Sequence, residues 1–263
     1  MIITQSKLRR KDRAYCAAIL RTAALFSLSK KRMERYSIIE EKNRREIVLL
    51  RGTGCIYKKC TFCDYHLDKC DSEEENFRLN ESVLKKVTGR YKCLEVINSG
   101  SVFELDRKTL ELIKSVCREK GIDTIHFESH YLYKNRIDEL RRDFSDFTLK
   151  MKLGLETFDY DLRENVLKKG IPDREPQIIS TQFDEANFLF GISGQTFDSM
   201  KTDIELGLKY FERICVNIMC DNTTQVAPDS AVIMEFIDRL YPLYKDNSRV
   251  DILINNTDFG VGD

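Results

Sequence analysis

The sequence of 263 residues has no net charge, no tryptophan, three histidines and four prolines. Lysine plus arginine and aspartate plus glutamate each total 43, so no net field favours a polyanion such as tRNA. Nucleic acid is therefore an unlikely partner, and a small, nearly neutral substrate is expected. The scarcity of histidine argues against a general acid–base enzyme built on that residue. The prolines are scattered, so no low-complexity linker divides the chain.

Long apolar runs are also missing from the sequence. No segment approaches the roughly 18 apolar residues of a membrane span, and the first residues lack the apolar core of a signal peptide. These absences predict a cytoplasmic protein with no membrane partner. Nine cysteines in that compartment favour metal or redox chemistry over a disulfide framework, and their odd number prevents complete pairing within one chain.

Short β-rich runs alternate with amphipathic helical stretches after residue 44. Repeated βα units require a parallel sheet with right-handed crossovers, and periodicity alone allows either a doubly wound open sheet or an incomplete β/α barrel. In both architectures the chemistry lies at the carboxyl ends of the strands. The predicted strands are 46–50, 94–98, 124–128, 151–155, 187–191, 215–219 and 251–255. The predicted helices are 81–90, 106–120, 160–168, 199–211 and 230–244.

The chain divides into two predicted regions. Residues 1–44 are rich in Ala, Leu, Lys and Arg, and residues 12–31 have apolar side chains at helical spacing, which predicts an N-terminal helical extension. Residues 45–263 form the main α/β domain, with a C-terminal segment on the side where the substrate is expected.

Three cysteines fall within nine residues directly after the first predicted strand, in Gly52-Thr-Gly-Cys55-Ile-Tyr-Lys-Lys-Cys60-Thr-Phe-Cys63. The polar residues between them suit a loop that wraps a metal centre. Three thiolates on a four-iron cluster leave one iron without a protein ligand, and a substrate or cofactor can bind there. Two other interpretations stay open: three unrelated buried cysteines, or a structural zinc site completed by His66 or Cys70.

The cysteine loop resembles the radical S-adenosylmethionine (SAM) superfamily, whose usual signature has three residues between its first two cysteines. Here that gap holds four residues, whereas the second gap, Cys60-Thr-Phe-Cys63, matches. Further along, Gly154-Leu-Glu-Thr157 and Lys169-Gly170 are similar to elements of a large radical SAM subset, and 191–196 is similar to the glycine-spaced segment beside adenine. The resemblance covers about residues 45–225.

This resemblance implies a partial (β/α)6 TIM-like barrel of the radical SAM type, and two cofactors. A [4Fe-4S] cluster would be bound by Cys55, Cys60 and Cys63, and SAM would lie across the strand ends. An electron donor such as flavodoxin or ferredoxin would be a partner. A carboxylate at a strand end can accept hydrogen bonds from the ribose hydroxyls or the ammonium of SAM. The expected SAM contacts are Phe62, Ser99, Gly100, Ser101, Glu128, Glu156, Ile192, Ile218 and Met219.

Within the superfamily, the length, the absence of an added cluster domain and the ending of the chain are similar to the queuine lyase family. The likeness implies radical attack on the cyclopentenediol of queuine and release of 7-aminomethyl-7-deazaguanine. Asp221 and Asp258 are candidates for the donor edge of the ring, and His130, Asn217 and Asn255 for the diol or the ring carbonyl. No residue is assigned as catalytic. The alternatives are a radical SAM enzyme acting on tRNA or a peptide, and a zinc-stabilised nonenzymatic binding module.

Overall fold

A single eight-stranded sheet forms the centre of the computed structural model, which describes residues 34–254. The strands follow one another in the sheet in chain order; the first pair is antiparallel and every later pair is parallel. Side chains from the second strand and the last strand line the same cavity, which shows that the sheet is curled. The strands are β1 (Tyr36–Ile39), β2 (Arg45–Leu50), β3 (Cys93–Asn98), β4 (Thr124–Ser129), β5 (Thr148–Glu156), β6 (Glu185–Phe190), β7 (Arg213–Ile218) and β8 (Val250–Leu253).

Each of the strands β2 to β7 is followed by helical structure, which makes six βα units before β8. This arrangement confirms the partial (β/α)6 barrel. No helix within residues 34–254 is long and apolar enough to cross a membrane. The α-helices are α1 (Glu73–Leu84), α2 (Arg107–Lys120), α3 (Ile137–Asp143), α4 (Pro176–Ile179), α5 (Phe197–Tyr210), α6 (Ser230–Glu235) and α7 (Tyr241–Tyr244). Short 3-10 helices span Tyr65–Leu67, Val102–Glu104 and Tyr131–Arg136, and π-helical turns span Leu162–Val166 and Phe236–Leu240.

The seven predicted parallel strands all form, but the first helix lies earlier than predicted. The helix α1 begins after Ser72, whose hydroxyl accepts a hydrogen bond from the Glu75 amide, and it ends at Leu84. Three glutamates occupy its first turn, where carboxylates interact favourably with the exposed amides of a helix N-terminus. The prediction of a helix over 81–90 followed the apolar spacing and missed this cap.

The region predicted as an N-terminal helical extension lies outside the described residues up to residue 33. Within the remainder, residues 34–44, the strand β1 pairs with β2, so the prediction of helix up to residue 44 is wrong for this part. The sequence Tyr-Ser-Ile-Ile of β1 is rich in residues that favour strands, and its partner β2 is completely buried.

Charged side chains fill the amino-terminal end of the half-barrel. Glu95 of β3 pairs with Arg45 of β2 through one carboxylate oxygen and with Lys152 of β5 through the other. Arg45 also lies 3.3 Å from Asp251 of β8, and Asp251 lies 3.1 Å from Arg213 of β7. These ion pairs connect β2 to β8, two strands that share no backbone hydrogen bonds in the sheet. The interior ion pairs therefore join the two ends of the parallel part of the sheet.

The ionisation of these carboxylates is set by their partners. Burial alone would raise the pKa of Glu95, but the charges of Lys152 and Arg45 hold it well below its usual value. Burial also opposes ionisation of Glu185, yet its bond to His126 and the charge of Lys152 lower its pKa to about 2. Because the folded-state pKa is below the unfolded one, the stabilising contribution is complete above about pH 4.3 and is lost as the pH falls toward 2.

Replacing Glu95 with alanine should lower the free energy of unfolding by about 3–5 kcal/mol, because Arg45 and Lys152 would remain buried without their shared partner. Urea denaturation followed by circular dichroism measures this change. Glu74→Ala is the matched control, since its ion pair with Arg78 is exposed and the expected change is within about 0.5 kcal/mol. Equal effects of the two substitutions would contradict the structural role of the network.

Candidate active site

A cavity of about 250 Å³ lies inside the half-barrel, open toward the loop that carries the three cysteines. Its wall is built from strands β2 to β8 and from that loop. Most of the residues predicted from the sequence line it. These residues are Cys55, Cys60, Phe62, Cys63, Ser99, Gly100, Ser101, Glu128, His130, Glu156, Asn217, Ile218 and Met219.

Two predicted residues, Ile192 and Asp221, do not line the cavity. Ile192 belongs to a hydrophobic cluster that includes Met219 and packs against Phe62, beside the cavity. Asp221 is exposed and does not line the cavity, so the structure does not support its predicted contact with the substrate. The next residue, Asn222, turns inward and donates a hydrogen bond of 2.8 Å to the carbonyl of Phe62, which leaves Asp221 facing outward. Asn255 and Asp258 lie outside the described residues.

Glu104 anchors the cysteine loop to the segment after β3. Its Oε1 accepts hydrogen bonds from the Ile56 amide at 2.7 Å and the Tyr133 hydroxyl at 3.1 Å, and its Oε2 accepts one from the Ser101 amide at 2.6 Å. Gly100 allows this approach, because a Cβ there would lie 1.9 Å from Glu104 Oε2 and 3.1 Å from the Cα of the neighbouring cysteine. Gly100, predicted to contact SAM, therefore packs against the cysteine loop.

The other side of the loop is bound to the segment after β5. The Tyr57 hydroxyl donates to the carbonyl of Lys168 at 2.8 Å, and the Thr61 amide donates to the carbonyl of Leu167 at 3.1 Å. The ring of Tyr57 stacks on His130 with 4.4 Å between the centroids. The cysteines are therefore held between loops that follow three different strands.

His130 is engaged by the protein at both ring nitrogens. Its Nε2 lies 2.8 Å from the carbonyl of Lys169, and its Nδ1 lies 3.1 Å from the amide of Leu132. The second contact needs Nδ1 as acceptor, so Nε2 carries the proton and donates to the carbonyl. Burial, aided by the charge of Lys169, lowers the pKa of His130 to about 4. The neutral imidazole supports the loops, and both ring nitrogens already have protein partners, so the hydrogen bond predicted to a substrate diol or carbonyl stays an untested prediction without support from this geometry.

Glu156 has an unusual backbone conformation at the end of β5. Its φ of +73° lies in the left-handed region, and the register of β5 against β6 shifts between Gly154 and Glu156. Strain of this kind is concentrated at functional sites. The bulge directs the carboxylate to Lys169, whose Nζ lies 2.7 Å from Glu156 Oε1. A Cβ at position 154 would lie 2.8 Å from that Nζ, so glycine is required for the ion pair to lie there.

Lys169 is a site residue that sequence reasoning missed, although it belongs to the Lys-Gly element noted above. Burial opposes its charge, but Glu156 and the nearby thiols raise the pKa of Lys169 overall. Its ammonium also lies 5.4 Å from the centroid of the Phe62 ring. A permanent positive charge therefore lies between the cysteine loop and the end of β5.

The three thiols suit an iron–sulfur cluster. Burial raises the pKa of Cys60 to about 11 and that of Cys63 to about 12, although Lys169 opposes the shift. The thiols therefore remain protonated until metal displaces the protons. In a four-iron cluster each cysteine binds a different iron, so the sulfurs need not converge on one point. Within residues 34–254 no three Cys, His, Asp or Glu side chains converge to hold a single ion.

Cys70 lies apart from the other three thiols. Its Sγ lies 3.3 Å from the Glu75 carboxylate, at the start of α1, and it does not line the cavity. The proposed ligand set is therefore limited to the triad.

Asn98, at the end of β3, provides an acceptor for a bound molecule. Its Nδ2 donates to the carbonyl of Ser101 at 2.9 Å. Its Oδ1 is buried and has no hydrogen-bond partner within residues 34–254, and the residue lines the cavity. Such an atom is costly unless a ligand or water supplies a donor. The ammonium group of an amino acid moiety would satisfy it, beside the Ser99–Ser101 turn expected to contact SAM.

Other lining residues carried only a weak sequence signal. Arg45, Glu95 and Lys152 are charged residues inside apolar strand runs, a pattern that predicts an interior with polar contents. Cys215 of β7 is buried and also lines the cavity.

The structure combines three features: a half-barrel of six βα units, a three-cysteine loop after its first parallel strand, and a cavity beside that loop lined by hydrogen-bond acceptors. Together these features define a radical SAM enzyme.

No protein-family model matches the chain. An uncharacterized protein of Methanocaldococcus jannaschii is 24% identical over 147 residues, which are 49% of this chain and 40% of that protein. The chain thus spans less than half the length of this curated relative.

Among solved structures, the queuine lyase from Clostridium spiroforme bound to SAM and queuine is 44% identical to this chain. The match has a TM-score of 0.84 and covers 88% of this chain and 100% of that chain. The chain belongs to the queuine lyase family of the radical SAM superfamily. The resemblance inferred from the cysteine loop is thereby confirmed, and the zinc module and the modifier of tRNA or peptides are not favoured.

Single substitutions of Cys55, Cys60 or Cys63 by alanine should each abolish the brown absorption of the anaerobically reconstituted protein, because each removes one iron ligand. Iron analysis and visible spectroscopy measure the loss. Cys70→Ala is the control and should retain about four irons per chain. Loss of iron in that control, with retention in Cys55→Ala, would show that the ligand set is wrong.

Proposed function

We propose that the protein is a queuine lyase, which uses a [4Fe-4S] cluster and SAM to break the carbon–nitrogen bond between the cyclopentenediol and the aminomethyl group of queuine. The observation that carries this proposal is the 44% identity, over the whole length of the matched chain, to a queuine lyase bound to SAM and queuine. The products would then be 7-aminomethyl-7-deazaguanine, the five-carbon fragment derived from the cyclopentenediol, 5′-deoxyadenosine and methionine.

Cys55, Cys60 and Cys63 would hold the cluster. A cluster held there would supply the electron for reductive cleavage of SAM and thereby the capacity to remove a hydrogen atom from the substrate. The protein contributes a shaped and partly dry cavity rather than strong acids or bases. Glu104 and the Tyr57–His130 stack fix the position of the cysteine loop, so that the reacting groups are held in one geometry.

The end of β3 would bind the amino acid part of SAM. Asn98 Oδ1, which lacks a partner within residues 34–254, would accept a hydrogen bond from the ammonium group. The backbone of Ser99, Gly100 and Ser101 adjoins it and lines the same cavity. Together these groups form the expected contact of the second strand of the parallel series with the methionine end of SAM.

The ribose and adenine of SAM would lie along the ends of β5 to β7. Glu156 Oε1 is bonded to Lys169, so Oε2 is the oxygen proposed to accept from a ribose hydroxyl. The apolar side chains of Ile192 and Met219 pack against Phe62, and Ile218 lines the adjacent wall. This apolar surface suits the flat adenine ring.

A cytoplasmic location and a flavodoxin or ferredoxin electron donor stay predictions from the sequence. Of the other substrate contacts predicted, Asn217 lines the cavity and remains a proposed contact to the diol or the ring carbonyl. The proposal for Asn255 and Asp258 rests on the sequence alone.

Glu156→Gln should weaken SAM binding about 10- to 150-fold while leaving the iron content unchanged, because a charge-assisted hydrogen bond worth about 1.5–3 kcal/mol is lost. Titration calorimetry on the reconstituted enzyme measures the affinity. Asp221→Asn is the matched control, since Asp221 is an exposed carboxylate after a later strand and should not alter SAM affinity. An unchanged affinity in Glu156→Gln would remove this residue from the SAM site.

Reduced enzyme supplied with SAM and queuine should release 7-aminomethyl-7-deazaguanine and 5′-deoxyadenosine, both detectable by mass spectrometry. Guanine should not turn over, because it lacks the diol that provides the hydrogen atom. SAM cleavage without any shortened deazaguanine, over a range of queuine concentrations, would refute the lyase assignment and leave the radical SAM assignment intact.

A further inference from the structure

Three carboxylates from the strands of the sheet line the cavity, and two of them form short ion pairs with lysine or arginine. Glu95 is shared between Arg45 and Lys152 and is almost completely buried. Glu156 is paired with Lys169 at 2.7 Å. Neither carboxylate can accept hydrogen bonds from a neutral ligand with both of its oxygens without losing an ion pair.

Glu128 on β4 is different. Its side chain is 22% exposed, against 2% for Glu95 and 9% for Glu156. The nearest cation, Lys152 Nζ, lies 3.8 Å from Glu128 Oε1, beyond hydrogen-bond distance, and the same Oε1 accepts a hydrogen bond of 2.8 Å from Asn187 Nδ2. Burial raises the pKa of Glu128, which shows that its partners stabilise the charge incompletely. Glu128 therefore has acceptor capacity that the protein does not use fully.

The position of Glu128 separates it from the SAM contacts. In the sheet it is paired with Lys152, which precedes Glu156 on β5 by four residues, or roughly 13 Å of strand. Glu128 thus lies deeper in the half-barrel than the Glu156–Lys169 pair. A ligand that reaches from the cysteine loop into the barrel would present its far end to Glu128.

We propose that Glu128, oriented by Asn187, accepts paired hydrogen bonds from the N1–H and 2-amino groups of the deazaguanine ring and so selects the substrate. This inference rests on the proposed function. It assigns to Glu128 the role that the sequence suggested for Asp221, which is exposed, and it replaces the SAM contact expected for Glu128. The cyclopentenediol would then point toward the end of β5, where the ribose of SAM is proposed to lie.

The geometry of the two groups is complementary. A carboxylate offers two acceptor oxygens in one plane, and the N1–H and 2-amino groups offer two parallel donors. A ring without the 2-amino group would leave one carboxylate oxygen unpaired in a desolvated site, and a site built for a hydrogen bond rejects ligands that lack the partner. Glu128 thereby predicts discrimination between guanine-like and hypoxanthine-like rings.

Calorimetric binding of 7-deazaguanine and 7-deazahypoxanthine to the holoenzyme with SAM tests the proposal, because the two bases differ only in the 2-amino group. The wild-type protein should bind 7-deazaguanine at least tenfold more tightly. Glu128→Gln should reduce the ratio of the two affinities to about one, since the amide would present a donor to a donor. Asp221→Asn, the control, should retain the wild-type ratio.

The integrity of Glu128→Gln is checked by its iron content and by its far-ultraviolet circular dichroism spectrum, both expected to match those of the wild-type protein. Asn187→Ala provides a second variant and should lower the ratio partway, because Glu128 loses its orienting bond. A wild-type ratio in both variants would overturn the proposal while the lyase assignment stands. Failure of the wild-type protein to distinguish the two bases would also overturn the proposal, whereas the lyase assignment is tested separately by release of 7-aminomethyl-7-deazaguanine from queuine.

Discussion

The shared carboxylate of Glu95 is the interaction on which the half-barrel depends. The cavity inside the curled sheet is lined by apolar side chains such as Ile47 and Leu49 and also by charged ones, and buried charges must be held by groups that satisfy one another. Glu95 binds Arg45 and Lys152 simultaneously, and Arg45 continues the contact to Asp251. These ion pairs therefore join β2 to β8, the two ends of the parallel part of the sheet.

At the opposite end of the half-barrel from these ion pairs, the cysteine loop is positioned by the loops that follow other strands. Glu104 binds its backbone from one side, and Tyr57 and Thr61 bind the segment after β5 from the other. A loop of this length with few apolar residues would sample many conformations by itself. Contacts from several rigid strands reduce that freedom before any cofactor binds, and this is the condition for accurate placement of a reactive centre.

The cavity is therefore organised in levels. The ion pairs lie at the amino ends of the strands, Glu128 and Asn187 lie above them, and Glu156 with Lys169 lies nearest the cysteine loop. The strained backbone at Glu156 marks the level at which the chemistry is proposed to occur. A long, thin substrate could be recognised by its far end while its reactive end remains close to SAM, which separates specificity from reaction.

Local patterns in the sequence determined the seven parallel strands and the order of the βα units. They also determined the cysteine triad and many of the strand-end residues that line the cavity. These features could be predicted because periodicity and motif spacing depend only on residues close together in the chain. Only the tertiary structure decided which of these side chains are available. The ring nitrogens of His130 are hydrogen-bonded to the carbonyl of Lys169 and the amide of Leu132. Asp221 faces outward. Glu95 and Arg45 are 50 residues apart along the chain. Their pairing follows from the register of neighbouring strands and the curl of the sheet, which no local pattern encodes.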